Sequence, residues 1–474
     1  MELLRNILGG LVVLLGLSVI AMSYIRQIRN ILNSRRGTGG WSSPAPLVGP
    51  VLVVLGGWLL PLHFGWWVLI AFLVDPDTVI VLIGLPWLFR GLVERDHSDS
   101  DTKKGLQLTQ TNGFIEDRRG RAQMHIVGSI LGTAVGDAMG LPYEGLSRRR
   151  GERLIGPPDR HHFFFGRGMV SDDTELTCMV AQSIIASRTD VGAFQRQLSR
   201  RLRLWLLGLP AGIGWATLRS TLRLWIGFSA EKSGVFSAGI GPAVRAPVIG
   251  AAIDDIELSR RLLLVSTRMT HTDPKAQYGA SAVALASRMA RRNETVAGAD
   301  FLHHLQAELG TDGDELVSLI RAAVHSVDNG QSTAAFAAGI GLAHGVSGYV
   351  YHTVPVSIHA WLSHQRDFRS AITNVIDCGG DTDSTGAIVG GIVGASVGRA
   401  GIPAEWIERL FEWPRSINWM ERLAVQMEST LQSNAPSDAP VRPIELPVYG
   451  VLLRNLLFLV VVLYHSLRRW LPPY

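Results

Sequence analysis

Apolar positions are spread unevenly along the chain, and their pattern divides it before any motif is considered. Residues 3–24, LLRNILGGLVVLLGLSVIAMSY, hold one arginine near the start and then a long uncharged run. That is enough for a spanning helix, which needs about 20 apolar residues. The run is long for a cleaved secretion signal, and Met22-Ser23-Tyr24 is a poor cleavage site, so it reads as a retained anchor. Residues 46–62 and 64–91 are apolar again, carry Trp58, Trp66, Trp67 and Trp87, and are broken by His63 and by Asp75-Pro76-Asp77. They read as two further crossings. Between the first and second runs stand Arg26, Arg29, Arg35 and Arg36 with no acid, which by the positive-inside tendency places that loop in the cytoplasm. Two more crossings return the chain to the same side, in agreement with Arg90, Arg95, Lys103 and Lys104. The expectation is a multi-pass membrane protein, with the lipid bilayer as a partner and the remainder cytoplasmic.

Residues 93–122 are polar, mixed in charge and without periodicity, a linker. From 123 to 431 apolar positions recur at three and four while strand-like alternation is scarce, which predicts an all-α domain. A second linker, 432–447, reads QSNAPSDAPVRPIELP. The final stretch, 448–471, is apolar but interrupted by Arg454 and closed by Arg468-Arg469. It predicts a helix that either spans the membrane or lies in its interface with the arginines reaching lipid phosphates.

Composition changes this picture little. A chain of 474 residues has room for a large buried core, and its net charge of +5 mixes loop arginines with a more acidic central domain. Basic residues cluster only at Arg148–Arg150 and around Arg196–Arg203, so nucleic acid is not the expected partner. Two cysteines, Cys178 and Cys378, argue for a reducing compartment, and no Cys/His spacing suits zinc. Oligomeric state is not legible.

The central domain holds the candidate chemistry. In residues 128–144, GSILGTAVGDAMGLPYE, Gly128, Gly132, Gly136 and Gly140 recur every four residues and make a bare helical ridge. Gly386, Gly390, Gly394 and Gly398 repeat the device after CGGDTDSTG, residues 378–386. Packing the ridges together would carry Asp137 and Glu144 toward Asp381 and Asp383. One aspartate at a helix start is ordinarily a cap. Two acids one residue apart, with Ser384 beside them, can instead converge on a cation such as Mg2+, which takes hard oxygen ligands. Residues 171–174, SDDT, repeat that chemistry in Ser171, Asp172 and Asp173. Gly239 and Gly241 in SAGIGPAVRA can expose backbone N–H groups to a phosphate; His271 lies in THTDP and Tyr349 in SGYVYHT. Taken singly, each is an ordinary structural residue.

In this order, GDAMGLPYE, SDDT, SAGIGPAVRAPVIG, THTDP, SGYVYHT and GGDTDSTGAIVGGIVGA resemble the ADP-ribosylglycohydrolase family over about residues 124–425. The resemblance implies an all-α fold with two Mg2+ ions, or Mn2+, and hydrolysis of a glycosidic bond to ADP-ribose in an ADP-ribosylated protein or small conjugate. It implies metal ligation by Ser171, Asp172, Asp173, Asp381, Asp383 and Ser384. Asp172 or Asp173 would steer the water and Glu144 would relay the leaving-group proton. Gly239, Gly241 and Arg245 would hold the diphosphate, with His271 and Tyr349 lining the ribose or adenine side. Three positions depart from the family pattern: Ser171 and Ser384 stand where threonine is usual, and Ile240 where asparagine is common. Two rival classes remain. A two-metal phosphohydrolase would need a basic clamp, for which Arg167 and Arg245 are the candidates, and Ile240 favours a silent ADP-ribose-binding module.

Overall fold

Glycine spacing builds the centre of the fold. In the computed structural model, which describes residues 113–469 apart from 293–294 and 434–440, together with Pro472 and five isolated positions before residue 54, the two ridges lie on helices α1 (Gly113–Gly140) and α3 (Thr382–Gly401). The expected crossings at 3–24, 46–62 and 64–91, and the linker before residue 113, lie outside the described residues. Helix α1 itself begins within the stretch read as linker.

The ridges pack on each other backbone to backbone. A Cβ at Gly128 would lie 2.0 Å from the Gly394 carbonyl oxygen, at Gly132 2.1 Å from that of Gly390, and at Gly136 2.0 Å from that of Gly386. The pairings run in opposite directions, so the helices are antiparallel, and this is the most extensive helix–helix contact of the fold. At the far end of α3 the backbone breaks from helical geometry at Gly398, with φ of 65°, a region that glycine enters without a Cβ penalty. Antiparallel packing sets the end of α1 beside the start of α3. Thr382 Oγ1 donates to the Gly140 carbonyl at 2.8 Å, so the two motif-bearing ends are tied directly.

Further helices close around this pair, among them Pro274–Arg292, Val350–Ser363 and Ile417–Gln432. Helix α2 (Asp172–Ser187) packs on α1 and carries the SDDT start. Cys178 and Cys378 are buried thiols, pushed up to about 12 by burial. The described residues form helices, turns and isolated bridges, without a β-strand. Two compact units are distinguished: Thr111–Ala211 with Ser229–Tyr474, which holds everything above, and Met1–Gln110 with Gly212–Phe228. Of the second, the amphipathic helix Trp215–Trp225 is described, with Leu218 and Leu224 buried.

The C-terminal apolar run forms helix α4 (Val448–Arg468), the one helix among the described residues long and apolar enough to cross a membrane. Its polar interruption turns inward. Arg454 is buried, pairs with Glu412 through Nη2 at 2.5 Å and donates to the Val170 carbonyl, while Asn455 donates to the Gly208 carbonyl at 2.7 Å. Phe458 packs on Phe163, and His465 stacks on the same ring. One face of α4 is therefore docked on the domain, whereas Val448, Tyr449, Leu453, Val460 and Tyr464 are exposed.

Candidate active site

Ser171 starts α2 as an extended N-cap residue whose side chain accepts from Asp173 N, the behaviour expected of serine at a helix start. The firmer hold comes from α1. Asp137, wholly buried, accepts from Ser171 N at 3.0 and 2.9 Å, from Thr174 N at 3.2 Å and from Thr174 Oγ1 at 2.5 Å. A carboxylate so placed satisfies free N–H groups of the helix start and fixes where Asp172 and Asp173 stand. Glu175, one turn in, is engaged elsewhere: burial would raise its pKa, but Arg415 and Arg454 hold it below the usual range, and Trp205 Nε1 donates to it.

The second motif is shaped by its glycines. Gly379 and Gly380 have φ of 70° and 84°, and the turn they make is gripped from both sides. Gly380 N donates to the Leu146 carbonyl and Gly145 N to that of Gly380, while Asp381 N donates to the Val346 carbonyl. Asp381 thus sits between the segment that carries Glu144 and the segment that leads to Tyr349. A Cβ at Gly348 would lie 2.8 Å from Asp381 Oδ2. Asp381 occupies the N-cap position of α3.

The two motifs meet. Ser384 Oγ donates to Asp173 Oδ2 at 2.7 Å. Burial raises the pKa of Asp172, Asp173 and Asp383 well above the normal carboxyl range, and their neighbours raise it further: Asp173 and Glu175 act on Asp172, Asp137 and Asp381 on Asp173, Glu144 and Asp381 on Asp383. Asp381 is also raised by burial, though hydrogen bonds from its own motif oppose this. Acids this close cannot all ionise without a compensating cation.

The donor set consists of carboxylates and hydroxyls, the hard oxygens that suit Mg2+ or Mn2+. Asp383 Oδ1 is buried without a hydrogen-bond partner, as a ligand oxygen would be. Among the described residues, no group of three or more histidine, cysteine, aspartate or glutamate side chains is arranged around a single ion position. In chemistry the residues fit the ions; side-chain rotation would have to complete the arrangement.

Of the residues read as substrate contacts, three come together. Gly239 pairs with Tyr349 through an isolated bridge, and a Cβ at Gly239 would lie 2.9 Å from His271 Nε2. His271 is buried and neutral, pushed down to about 3 by burial and by Arg245. Lys275 donates to Tyr349 Oη at 3.0 Å and lies over the Tyr351 ring. The other two are placed differently. Gly241 opens a four-residue helix, and Arg245 is turned into the core, donating to Ser266 and Thr270 with Nη1 unpartnered. The side chain of Ile240 is buried as well. Sequence reasoning brought Asp137 to the site without its acceptor role, and did not single out Lys275, which reaches Tyr349. Asp137 had a signal, being a charged residue within a bare glycine ridge.

Two packed glycine ridges thus bring two hydroxyl-and-carboxylate motifs together, and the comparisons supply the class. Residues 118–436 match the model of the ADP-ribosylglycohydrolase family, and the chain belongs to that family, hydrolases acting on glycosidic bonds of ADP-ribose. Similar proteins include an uncharacterised protein of Archaeoglobus fulgidus, 30% identical over 63% of this chain and 94% of its own. The ADP-ribosyl-[dinitrogen reductase] glycohydrolase of Rhodospirillum rubrum is 26% identical over 60% of this chain and 89% of its own. The ADP-ribosylarginine hydrolase Tri1 of Pseudomonas putida is 27% identical over 61% and 75%.

Proposed function

We propose that this protein is a membrane-anchored, Mg2+-dependent hydrolase that releases ADP-ribose from a modified protein side chain or a related acceptor. The observation that carries the reading is the junction of the two acidic motifs at Ser384 and Asp173 within a member of this family. The names of two relatives, one an ADP-ribosylarginine hydrolase and one acting on ADP-ribosyl-dinitrogen reductase, make an arginine linkage the first to test.

Cleavage at C1 of the ribose develops positive charge on the sugar and requires a water nucleophile and a protonated leaving group. A bound divalent cation supplies Lewis acidity there and orients oxygen ligands. Ser171, Asp172, Asp173, Asp381, Asp383 and Ser384 would hold it. Asp172 or Asp173 accepts a proton from the attacking water, and Glu144, at the edge of the acid cluster, returns one to the departing atom. Gly239, His271 and Tyr349 line the face next to Asp381 and suit the ribose or adenine; Gly241 would contribute backbone N–H. The inward hydrogen bonds of Arg245 leave its Nη1 for the diphosphate or for Asp173.

Anchoring rests on the apolar runs at 3–24, 46–62 and 64–91, which would hold the domain at the cytoplasmic face. The exposed apolar side of α4 would then lie against lipid. The test is substitution of Asp381→Ala and Asp383→Ala: each abolishes Mg2+-dependent release of ADP-ribose, and undiminished turnover in either refutes the site.

A further inference from the structure

The matched family segment ends at residue 436, yet the turn that carries Glu144 is bound by a cation from beyond it. Helix α4 is fixed along its length. Arg454 is bound to Glu412 and to the Val170 carbonyl, immediately before Ser171; Asn455 is bound to Gly208; and His465 Nε2 lies 2.6 Å from the Phe163 carbonyl. Arg469, the next residue after the helix, is delivered by that docking to the turn that carries Glu144.

The guanidinium straddles this turn. Arg469 Nη2 donates to the Pro142 carbonyl at 3.1 Å and, at 3.5 Å, to that of Leu141, and Nη1 lies 4.0 Å from where a Cβ on Gly145 would stand. Arg150 in turn donates to the Arg469 carbonyl. The contacts therefore bracket Glu144 on both sides in sequence. The charge faces the same way: Glu144 and Asp383 are the acids that act on Arg469. A guanidinium that merely ended its own helix would bind the last carbonyls of α4, whereas this one binds carbonyls of the 3-10 turn Leu141–Tyr143.

We propose that Arg469 is a positioning residue of the active site, supplied by a helix outside the family segment, which fixes the Glu144 turn and offsets the negative charge that Glu144 and Asp383 present to a divalent cation. The proposal rests on the reading of the site given above. It makes α4 part of the catalytic unit, whatever else its exposed face contacts.

The test uses the full chain with Arg469→Gln and Arg469→Lys. Calorimetric titration of the apo protein with Mg2+ alone should show binding at least about threefold tighter in Arg469→Gln, because a positive charge near the acids is gone, and wild-type affinity within about twofold in Arg469→Lys. Turnover of an ADP-ribosylated substrate should fall about tenfold in Arg469→Gln and recover in Arg469→Lys. On a Glu144→Gln background the same Arg469→Gln change should cost almost nothing further, as expected for residues that act through one another. Unchanged Mg2+ affinity in Arg469→Gln, or losses that add in full on the Glu144→Gln background, would overturn the proposal. Should Arg469→Gln not fold, Arg469→Lys decides: affinity and turnover near wild type support it, and a loss of either overturns it. If the intact protein turns over no ADP-ribosylated substrate, the functional reading fails, while the Mg2+ titration still decides the role of Arg469.

Discussion

Ser384 donates its hydroxyl to Asp173 across 2.7 Å and 211 positions of sequence, so the start of α3 is bonded to the start of α2 at the acids themselves. A buried polar group left without its hydrogen-bond partner costs about 1–3 kcal/mol. Ser384→Ala should therefore lower stability by about that much and reduce metal-dependent turnover at least tenfold, while Ser384→Thr keeps both. Equal turnover in Ser384→Ala and wild type would show that the hydroxyl has no part in the site.

The glycine ridges are the least tolerant feature of the domain. Alanine at Gly132 or Gly390 would place a methyl 2.1 Å from a backbone carbonyl of the opposing helix, where no side chain can move aside. Overpacking a core costs about 1–3 kcal/mol when side chains can adjust. Here the helices must separate, so each substitution should cost more than about 3 kcal/mol in thermal or denaturant unfolding. Gly339→Ala, with nothing within 4 Å, is the control and should be near neutral.

His271 gives the stability a defined pH dependence. Its folded pKa lies near 3, against an ordinary value of 6.5, because burial disfavours the charged ring. The unfolded chain then binds a proton that the folded chain refuses, so the contribution is fully present above about pH 6.5 and is lost as pH falls toward 3, by at most about 1.4 kcal/mol per pH unit. His271→Gln should flatten that acid limb in unfolding measured from pH 7 to pH 4. An unchanged slope would mean that the ring is hydrated and charged in the folded state.

The helical class, the packing of the ridges and the meeting of the two acidic motifs were legible in the sequence, because each depends on local spacing: four residues for a helix face, one residue for a carboxylate pair. What Asp137 does was not legible, since its partners Ser171 and Thr174 are brought to it only by helix packing. The inward turn of Arg245 was not legible either: its length lets the guanidinium reach Ser266 and Thr270, partners that only the packing of the helices brings near. Arg454 and Arg469 were read as part of a helix that either spans the membrane or lies in its interface, because an apolar run with arginines looks the same whether those arginines meet phosphates or buried carboxylates and carbonyls. Only the docking of α4 distinguishes the two.

The most direct measurement follows ADP-ribose released by the purified full chain from ADP-ribosyl-arginine protein, and from serine-linked and acetyl-ester conjugates, in Mg2+ and in EDTA. Free ADP-ribose should accumulate from at least one substrate in Mg2+ and cease in EDTA. Release that persists unchanged in EDTA, or a product mixture of AMP and ribose phosphate in place of ADP-ribose, would contradict the account.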